Sequence, residues 1–151
     1  MRSVIQRVSE ARVLVDDVTV GEIGRGLLLL VGVAVDDDLT DVDVVVRKVV
    51  GLRVFPDEEG KMNRSVCDIG GSVLVVSQFT LLGSVRKGRR PSFTNAARPD
   101  DAVPLMAALC AGLRQQGITV AEGEFGAQMR VELVNDGPVT IVLDVVDGQV
   151  V

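Results

Sequence analysis

The amino-acid sequence predicts a single α+β domain, in which a mostly antiparallel, barrel-like sheet is combined with two main helices. A chain of 151 residues is of ordinary size for one domain, which we expect to span residues 1–151. Hydrophobic residues make up 47% of the chain and aromatic residues only 3%, so the core must be aliphatic. Its abundant valine is β-branched and favours strands, whereas only two segments show apolar residues at helical spacing.

The strand prediction rests on alternating or continuous runs of apolar residues. Residues 27–35 are apolar on both faces, which is typical of a central buried strand. The acidic segment 56–60 and the basic, glycine-containing segment 83–91 interrupt the pattern and predict loops. The remaining strands are predicted at residues 3–8, 12–16, 18–23, 73–79, 118–122, 129–134 and 139–146.

Two helices are predicted from helical spacing and from residues that favour helix ends. Thr40 is a suitable N-cap for the first helix, and Asp41 and Asp43 follow where the helix dipole favours negative charge. The second helix begins after Arg98 and ends near Gly117. The predicted apolar stripes are Val42, Val45, Val46, Val49 and Val50 in the first helix, and Val103, Met106, Leu109, Cys110 and Leu113 in the second.

The composition excludes several kinds of chemistry. The chain has no histidine, which rules out Ser-His-Asp and Cys-His nucleophile systems and removes the commonest metal ligand. Cys67 and Cys110 are 43 positions apart and are expected to be buried free thiols. We therefore expect no metal and no cofactor, and any chemistry must use hydroxyls, carboxylates, lysine, backbone dipoles or the substrate itself.

Charge and hydropathy point to a water-soluble protein with a local rather than a general affinity for nucleic acid. The net charge of −5 disfavours non-specific nucleic-acid binding but allows a grip on one end of an RNA. The longest apolar run is far shorter than the roughly 20 residues that span a bilayer, and the first residues do not resemble a signal peptide. We expect a cytoplasmic protein that does not contact a membrane.

Three segments carry the polar groups that a functional site needs. The sequence Ser-Gln-Phe-Thr-Leu at 77–81 offers hydroxyls, an amide and backbone N–H groups at a predicted strand end, as in an anion or oxyanion pocket. A regular strand would place Ser77, Phe79 and Leu81 on one face and the intervening residues on the other. In Asn-Asp-Gly-Pro-Val-Thr at 135–140, the Gly-Pro step allows close approach of a ligand and a cis peptide bond. Taken singly, the first segment is more typical of an ordinary strand end with a polar turn, and the second is more typical of a simple turn between two strands.

The third segment is a cluster of cations in an otherwise acidic chain. Four cations lie within five residues, as they would in a solvated surface loop or in a local grip on phosphates. The four are Arg86, Lys87, Arg89 and Arg90.

Taken together, the order and spacing of these segments resemble the D-aminoacyl-tRNA deacylase family. The resemblance includes both motifs, the segment from Lys87 to Phe93, the opening at residues 2–8 and the stretch from Leu52 to Asn63, so it runs nearly from end to end. Neither main motif departs from the family pattern.

The resemblance implies a homodimeric, barrel-like enzyme that cleaves the ester between a D-amino acid, or glycine, and the 3′-terminal adenosine of tRNA. The Gly137-Pro138 peptide would be cis and would reach across the dimer into the partner's pocket, where its carbonyls hold the substrate amino group and exclude an L side chain. Arg7 would help to fix that loop, and Phe125 and Met129 would help to line the adenosine pocket. The catalytic row would be Ser77, Gln78, Phe79 and Thr80.

Without histidine, no base for Thr80 is evident, so substrate-assisted hydrolysis is the preferred mechanism. An aminoacyl ester is already activated and has a neighbouring ribose 2′-hydroxyl, while a backbone N–H near Phe79 or Thr80 would stabilise the oxyanion. Two alternatives stay open from the residues alone: a non-catalytic RNA-end-binding or assembly protein, and a hydrolase of free amino-acid esters. The basic segment argues mildly against the latter, because free esters carry no phosphate.

Overall fold

The computed structural model describes residues 1–151 and contains a seven-stranded sheet, a two-stranded hairpin and two helices. The helices are α1 (Leu39–Gly51) and α2 (Pro99–Gln115). The strands are β1 (Arg2–Val15), β2 (Val18–Ile23), β3 (Gly26–Gly32), β4 (Phe55–Pro56), β5 (Met62–Arg64), β6 (Ser72–Ser77), β7 (Thr119–Glu122), β8 (Arg130–Val146) and β9 (Gln149–Val150).

The main sheet has the strand order β7-β6-β3-β1-β8-β9, with β2 paired to the far half of β1. Pairs made by β1 and β8 are antiparallel, whereas β3 pairs with β6 and β6 with β7 in parallel. Parallel neighbours need crossover connections, which α1 and α2 supply. The predicted α+β class with two helices is confirmed, and the parallel pairs make the sheet mixed. Both β6 and β7 therefore end at the same edge.

Apolar residues on the two faces of the sheet form two separate core clusters. Successive residues of β3 and β6 point to opposite faces of the sheet and therefore belong to different clusters. Leu27 and Val73 belong to the larger cluster under the helices, and Leu28 and Leu74 belong to the smaller one. The sheet curls around the smaller cluster until Gly21 of β2 lies against the backbone of Glu122 in β7, where a side chain would not fit. The result is a half-barrel, with the helices outside and the small cluster inside.

Two long strands of the structure are each predicted as two shorter strands. Residues 2–15 form one strand because their first half pairs with β3 and their second half with β2, while β8 pairs along both. Residues 130–146 also form one strand, and the Gly-Pro motif interrupts it without reversing the chain. The irregular register lies opposite this motif, between Gln6 and Glu10 of β1.

Details of both helices differ from the prediction. Asp38, not Thr40, is the N-cap of α1, because its carboxylate accepts hydrogen bonds from the N–H groups of Thr40 and Asp41 and lies before the first turn. In α2, Met106, Leu109, Cys110 and Leu113 are buried as predicted, but Val103 is 45% exposed and Ala102 is buried instead, so only the first position of the stripe differs. Of the cysteines, Cys110 is buried as predicted, but Cys67 is exposed. None of the helices has the length and apolar character needed to cross a membrane.

Candidate functional site

The Ser-Gln-Phe-Thr-Leu motif lies where β6 leaves the sheet. Ser77 is the last strand residue, and Phe79–Leu82 form a short 3₁₀ turn. The strand stops there because its neighbour β3 ends at Gly32, and the N–H of Gln78 makes a last bond of 2.7 Å to the carbonyl of Val31. The predicted alternation of faces beyond Ser77 is therefore wrong, since the chain turns instead of continuing as a strand.

Within this turn, Gln78 holds Thr80. The side-chain amide of Gln78 donates a hydrogen bond to the Thr80 hydroxyl oxygen, so that oxygen is an acceptor here and its own proton can point elsewhere. An amide cannot act as a general base, and therefore this contact orients the hydroxyl without activating it. The backbone N–H groups of Phe79 and Thr80 donate to no acceptor within the chain, and both residues are exposed. The turn thus presents a hydroxyl and two backbone donors to solvent.

Phe125 and Met129 lie at the same edge of the sheet, on the segment between β7 and β8. The N–H of Gly123 bonds to the carbonyl of Val75 at 2.9 Å, which carries this segment past the end of β6. Met129 is half-buried against the small core cluster, and its sulfur occupies the space beside Gly123. Phe125 is 38% exposed, so its ring is available to a ligand. The structure therefore places both residues on the side of the first motif.

An ion pair anchors the beginning of this segment. Arg114 of α2 contacts the carboxylate of Glu122 at 2.6 Å, and this hydrogen bond lowers the pKa of Glu122. Cys110 faces the same carboxylate, and burial raises the pKa of its thiol to about 12. Glu122 is thus a fixed anion that ties β7 to α2.

The Gly137-Pro138 peptide bond is cis, the conformation that the family resemblance implies. Gly137 has a φ of 151°, a region that side chains rarely allow, and a Cβ there would lie 2.8 Å from the backbone nitrogen of Val139. Both residues are exposed. Asn135 pairs with Val8 and Thr140 with Gln6, so residues 136–139 have no partner in β1 and form a loop within β8.

Arg7 of β1 reaches this loop. Its Nε donates to the carbonyl oxygen of Asp136 at 2.7 Å, and its Nη1 donates to the carbonyl of Val54, just before the β4–β5 hairpin. The Arg7 side chain is only 11% exposed, which restricts its movement. One planar guanidinium thus joins the Gly-Pro loop to a second part of the chain.

Asn135 closes the same loop from within. Its Oδ1 accepts from the N–H of Val139 at 2.7 Å, and its Nδ2 donates to the Val139 carbonyl at 3.2 Å and to the Thr140 hydroxyl at 3.1 Å. The sequence motif contains Asn135, but its pattern alone assigns this residue no role. The role of Asn135 could have been predicted from its position, because an asparagine amide can replace a peptide group in hydrogen bonding and this one lies two residues before a Gly-Pro step.

The basic segment forms a projecting finger. Ser84 and Ser92 exchange two backbone hydrogen bonds of 2.8 and 2.9 Å, which close the segment between them into a loop that we call the basic finger (residues 84–92). All four of its cations are exposed, and none makes a salt bridge. The finger begins two residues after the 3₁₀ turn, so the cations lie beside the first motif.

The two motifs do not meet within one chain. Ser77 pairs with Val31 of β3, which pairs with Ser3 of β1, whereas the Gly-Pro loop lies opposite Arg7. Three inter-strand spacings of about 4.8 Å and four residues with a rise of about 3.3 Å separate them, or roughly 20 Å along the sheet. The structure therefore groups the first motif with Phe125, Met129 and the basic finger, and it groups Gly137 and Pro138 with Arg7.

Known structures share this arrangement of strands and helices. A solved c-Myc DNA Unwinding Element Binding Protein superposes with a TM-score of 0.90 at 40% identity, over 96% of this chain and 99% of that one. A probable eukaryotic D-amino acid tRNA deacylase shares the fold with a TM-score of 0.81 at 22% identity, over 95% and 98% of the two chains. The fold is thus one that a tRNA deacylase also adopts.

Sequence comparison assigns the family. The model of the family described as D-Tyr-tRNA(Tyr) deacylase matches residues 4–144. A D-aminoacyl-tRNA deacylase of Clostridioides difficile (strain 630) is 56% identical over 144 residues, which cover 95% of this chain and 97% of that relative. The chain belongs to the D-Tyr-tRNA(Tyr) deacylase family, and it is accordingly a hydrolase.

Proposed function

We propose that the protein hydrolyses the ester bond of D-aminoacyl-tRNA, and of glycine mischarged on tRNA, to release free amino acid and tRNA. It would act in the cytoplasm as a chiral proofreader that spares L-aminoacyl-tRNA. The observation that carries the proposal is the Gly137-Pro138 loop, which projects from β8 yet is held by Arg7 and Asn135. A rigid backbone wall can reject a substrate by steric clash without changing its attractive contacts.

In this proposal the pocket is completed across a homodimer. The Gly-Pro loop lies roughly 20 Å along the sheet from the catalytic row of its own chain, with strands β3 and β1 between them, so the two are not adjacent parts of one pocket within that chain. A partner subunit can bring its loop to that row, where its two carbonyls would accept hydrogen bonds from the substrate ammonium. The exposed position of Gly137 and Pro138 supports this arrangement.

The chirality filter follows from this geometry. With the ammonium fixed by the carbonyls and the ester carbonyl fixed by the catalytic row, only two directions remain at the α-carbon. One direction points to open space and accepts a D side chain, and the other meets the backbone of the loop. Glycine has hydrogen in both directions and passes as well.

Hydrolysis would be assisted by the RNA. Water attacks the ester carbonyl carbon, and the bond to the ribose 3′ oxygen breaks. The neighbouring 2′-hydroxyl relays a proton from that water to the 3′ oxygen, so no protein base is needed. The exposed N–H groups of Phe79 and Thr80 would bind the oxyanion, and Ser77 and Gln78 would position the ester.

The RNA itself would be recognised on both sides of this row. Phe125 and Met129 would contact the 3′-terminal adenosine, since an exposed ring and a flexible thioether suit a flat base. The basic finger would contact phosphates of the acceptor end through its four cations, which are Arg86, Lys87, Arg89 and Arg90. Family membership favours this hydrolase over a non-catalytic RNA-end-binding protein.

The deciding measurement is release of radiolabelled D-tyrosine and L-tyrosine from the same tRNA by the purified protein. Release of D-tyrosine alone is the expected result. Release of neither, with active controls, would return the assignment to a binding protein. Release of both would keep the hydrolase but contradict the proposed filter. If D-tyrosine alone is released, Gly137→Ala and Pro138→Ala test the filter directly, since each should alter the discrimination between D and L substrates or abolish binding.

A further inference from the structure

Phe93, at the base of the basic finger, packs against the catalytic row. Its ring lies edge-on to the ring of Phe79, with 5.1 Å between the centroids and 71° between the planes. This is a favoured geometry for two aromatic rings. Phe79 is 53% exposed, so its side chain is only partly packed and the ring of Phe93 is one of the groups that restrain it.

The neighbouring backbone is shaped to admit this ring. Gly83 follows the 3₁₀ turn, and a Cβ at that position would lie 2.9 Å from Cε1 of Phe93. The N–H of Gly83 also closes the turn with a bond of 3.0 Å to the carbonyl of Thr80. Phe93 therefore rests on both the first and the last residue of the segment that runs from Phe79 to Gly83.

The finger joins this contact to the cations. The Ser84–Ser92 bridge holds its two ends together, and Phe93 follows the bridge at once. On the other side, the Phe93 carbonyl accepts from the N–H of Ala96 at 3.0 Å, so the backbone at Phe93 is fixed. The finger that carries the cations is therefore connected to the 3₁₀ turn in two ways: through the backbone at Gly83 and through the contact between the rings of Phe93 and Phe79.

From this geometry we propose that Phe93 is a positioning residue, which fixes the Phe79–Thr80 backbone and couples it to RNA bound on the basic finger. The inference rests on the proposed function, because it names how that site is held in its working geometry. Phe93 itself touches no reacting atom. Its loss should lower the rate of the bound complex and leave the affinity for tRNA largely unchanged.

The test compares Phe93→Leu, which keeps an apolar side chain, with Phe93→Tyr, which keeps the ring. Single-turnover hydrolysis of D-tyrosyl-tRNA should slow by about 2- to 10-fold in Phe93→Leu, the range expected when one aromatic pair is removed. KM and the salt dependence should stay within about twofold, and Phe93→Tyr should restore the rate. Val103→Ala, which removes exposed apolar surface on α2, is the matched control and should leave the rate unchanged.

A double-mutant cycle with Phe79→Leu locates the effect. If Phe93 acts through Phe79, the second substitution should add little to the first. Additive losses of rate, an unchanged single-turnover rate in Phe93→Leu, or an equal decrease in Phe93→Tyr would overturn the proposal.

A readout without catalysis separates this inference from the proposed function. The backbone amide NMR signals of Phe79 and Thr80 should shift in Phe93→Leu and not in Val103→Ala. In the native protein the same signals should respond to a short acceptor-stem RNA, and this response should be absent in Phe93→Leu. If the native protein is inactive but shows these shifts, only the deacylase function is refuted. If the Phe79 and Thr80 amide signals are the same in Phe93→Leu as in the native protein, the positioning role is refuted.

Discussion

The side chain of Asn135 pairs with the backbone of Val139 on both sides, accepting from its N–H at 2.7 Å and donating to its carbonyl at 3.2 Å. The Gly-Pro step lies between these two residues, so the asparagine closes the loop into a ring. Arg7 holds the same loop from outside through the Asp136 carbonyl. The loop is therefore restrained from two directions even though it projects from the sheet.

Asn135→Ala should weaken discrimination between enantiomers. The substitution removes three hydrogen bonds, each of which contributes about 0.5–1.5 kcal/mol, and it leaves the Val139 N–H without its partner. We expect kcat/KM for D-tyrosyl-tRNA to fall by about tenfold and the D-to-L ratio of rates to fall with it. Parallel kinetics on both enantiomers measure this.

Gln115→Ala is the matched control, because Gln115 is exposed at the end of α2, an element that carries neither the Gly-Pro loop nor its hydrogen-bond partners. An unchanged D-to-L ratio in Asn135→Ala, with the loop still closed by Arg7, would show that the asparagine is dispensable.

Thr80→Ala should reduce the rate without abolishing it. Gln78 donates to the threonine hydroxyl and cannot accept its proton, so the hydroxyl should orient the substrate and not attack it. We expect the rate to fall by about 10- to 100-fold, somewhat less than on removal of a full oxyanion donor. Thr80→Ser keeps the hydroxyl and should retain most of the activity. Complete inactivity of Thr80→Ala with intact tRNA binding would instead identify Thr80 as the nucleophile.

Removing cations from the basic finger should weaken tRNA binding and reduce its salt dependence. Arg89→Ala together with Arg90→Ala should raise KM, and the slope of log affinity against log salt should fall by about 0.7–0.9 for each phosphate that is no longer neutralised. The single-turnover rate at saturation should fall by no more than it does in Phe93→Leu, because Arg86, Lys87 and the Phe93–Phe79 contact remain. Arg47→Ala, an exposed arginine on α1, serves as the control. If the slope of log affinity against log salt is the same in the Arg89/Arg90 variant as in the native protein, the tRNA does not bind to the basic finger.

The two thiols should differ sharply in reactivity. Cys67 is exposed, whereas burial raises the pKa of Cys110 to about 12, and only thiolates react quickly with disulfide reagents. Ellman's reagent at pH 8 should modify one thiol in the folded protein and two after unfolding. Cys67→Ser should leave none reactive until the protein unfolds, and rapid modification of that variant would contradict the burial of Cys110.

The same shift predicts how stability depends on pH. An unfolded cysteine ionises near its ordinary pKa of 9.0, while folded Cys110 keeps its proton until about pH 12. Between these values the folded state binds the extra proton, so the contribution of Cys110 to stability is complete below pH 9 and is lost as the pH rises. Above pH 9, the free energy of unfolding should therefore fall less steeply in Cys110→Ala than in the native protein.

Local sequence patterns predict the class of the fold well but not the course of its longest strands. Valine-rich alternation and two helical stripes are enough for the sheet and both helices. The division of residues 130–146 into two strands fails because a Gly-Pro step usually marks a turn. Here the long pairing of β8 with β1 continues on both sides of the step, and that pairing is not visible in either segment alone.

The Ser-Gln-Phe-Thr-Leu motif shows a similar limit. Its residues are recognisable from Ser77 onward, but the end of β6 depends on where β3 ends, which is a property of another segment. For the same reason, the contacts made by Asn135 and Phe93 need three-dimensional information, although both residues lie in recognisable motifs. The residue types in a motif indicate which chemistry it can perform, whereas the contacts that each residue makes depend on how distant segments pack together.

In the proposed homodimer, the separation of the two motifs would make each pocket the joint product of two copies of the chain. In a mixture of a Thr80-defective chain and a Pro138-defective chain, a mixed pair would contain one pocket in which both contributions are damaged and one in which both are sound. Two variants that are each impaired would thus recover activity when their subunits are allowed to exchange in a test tube.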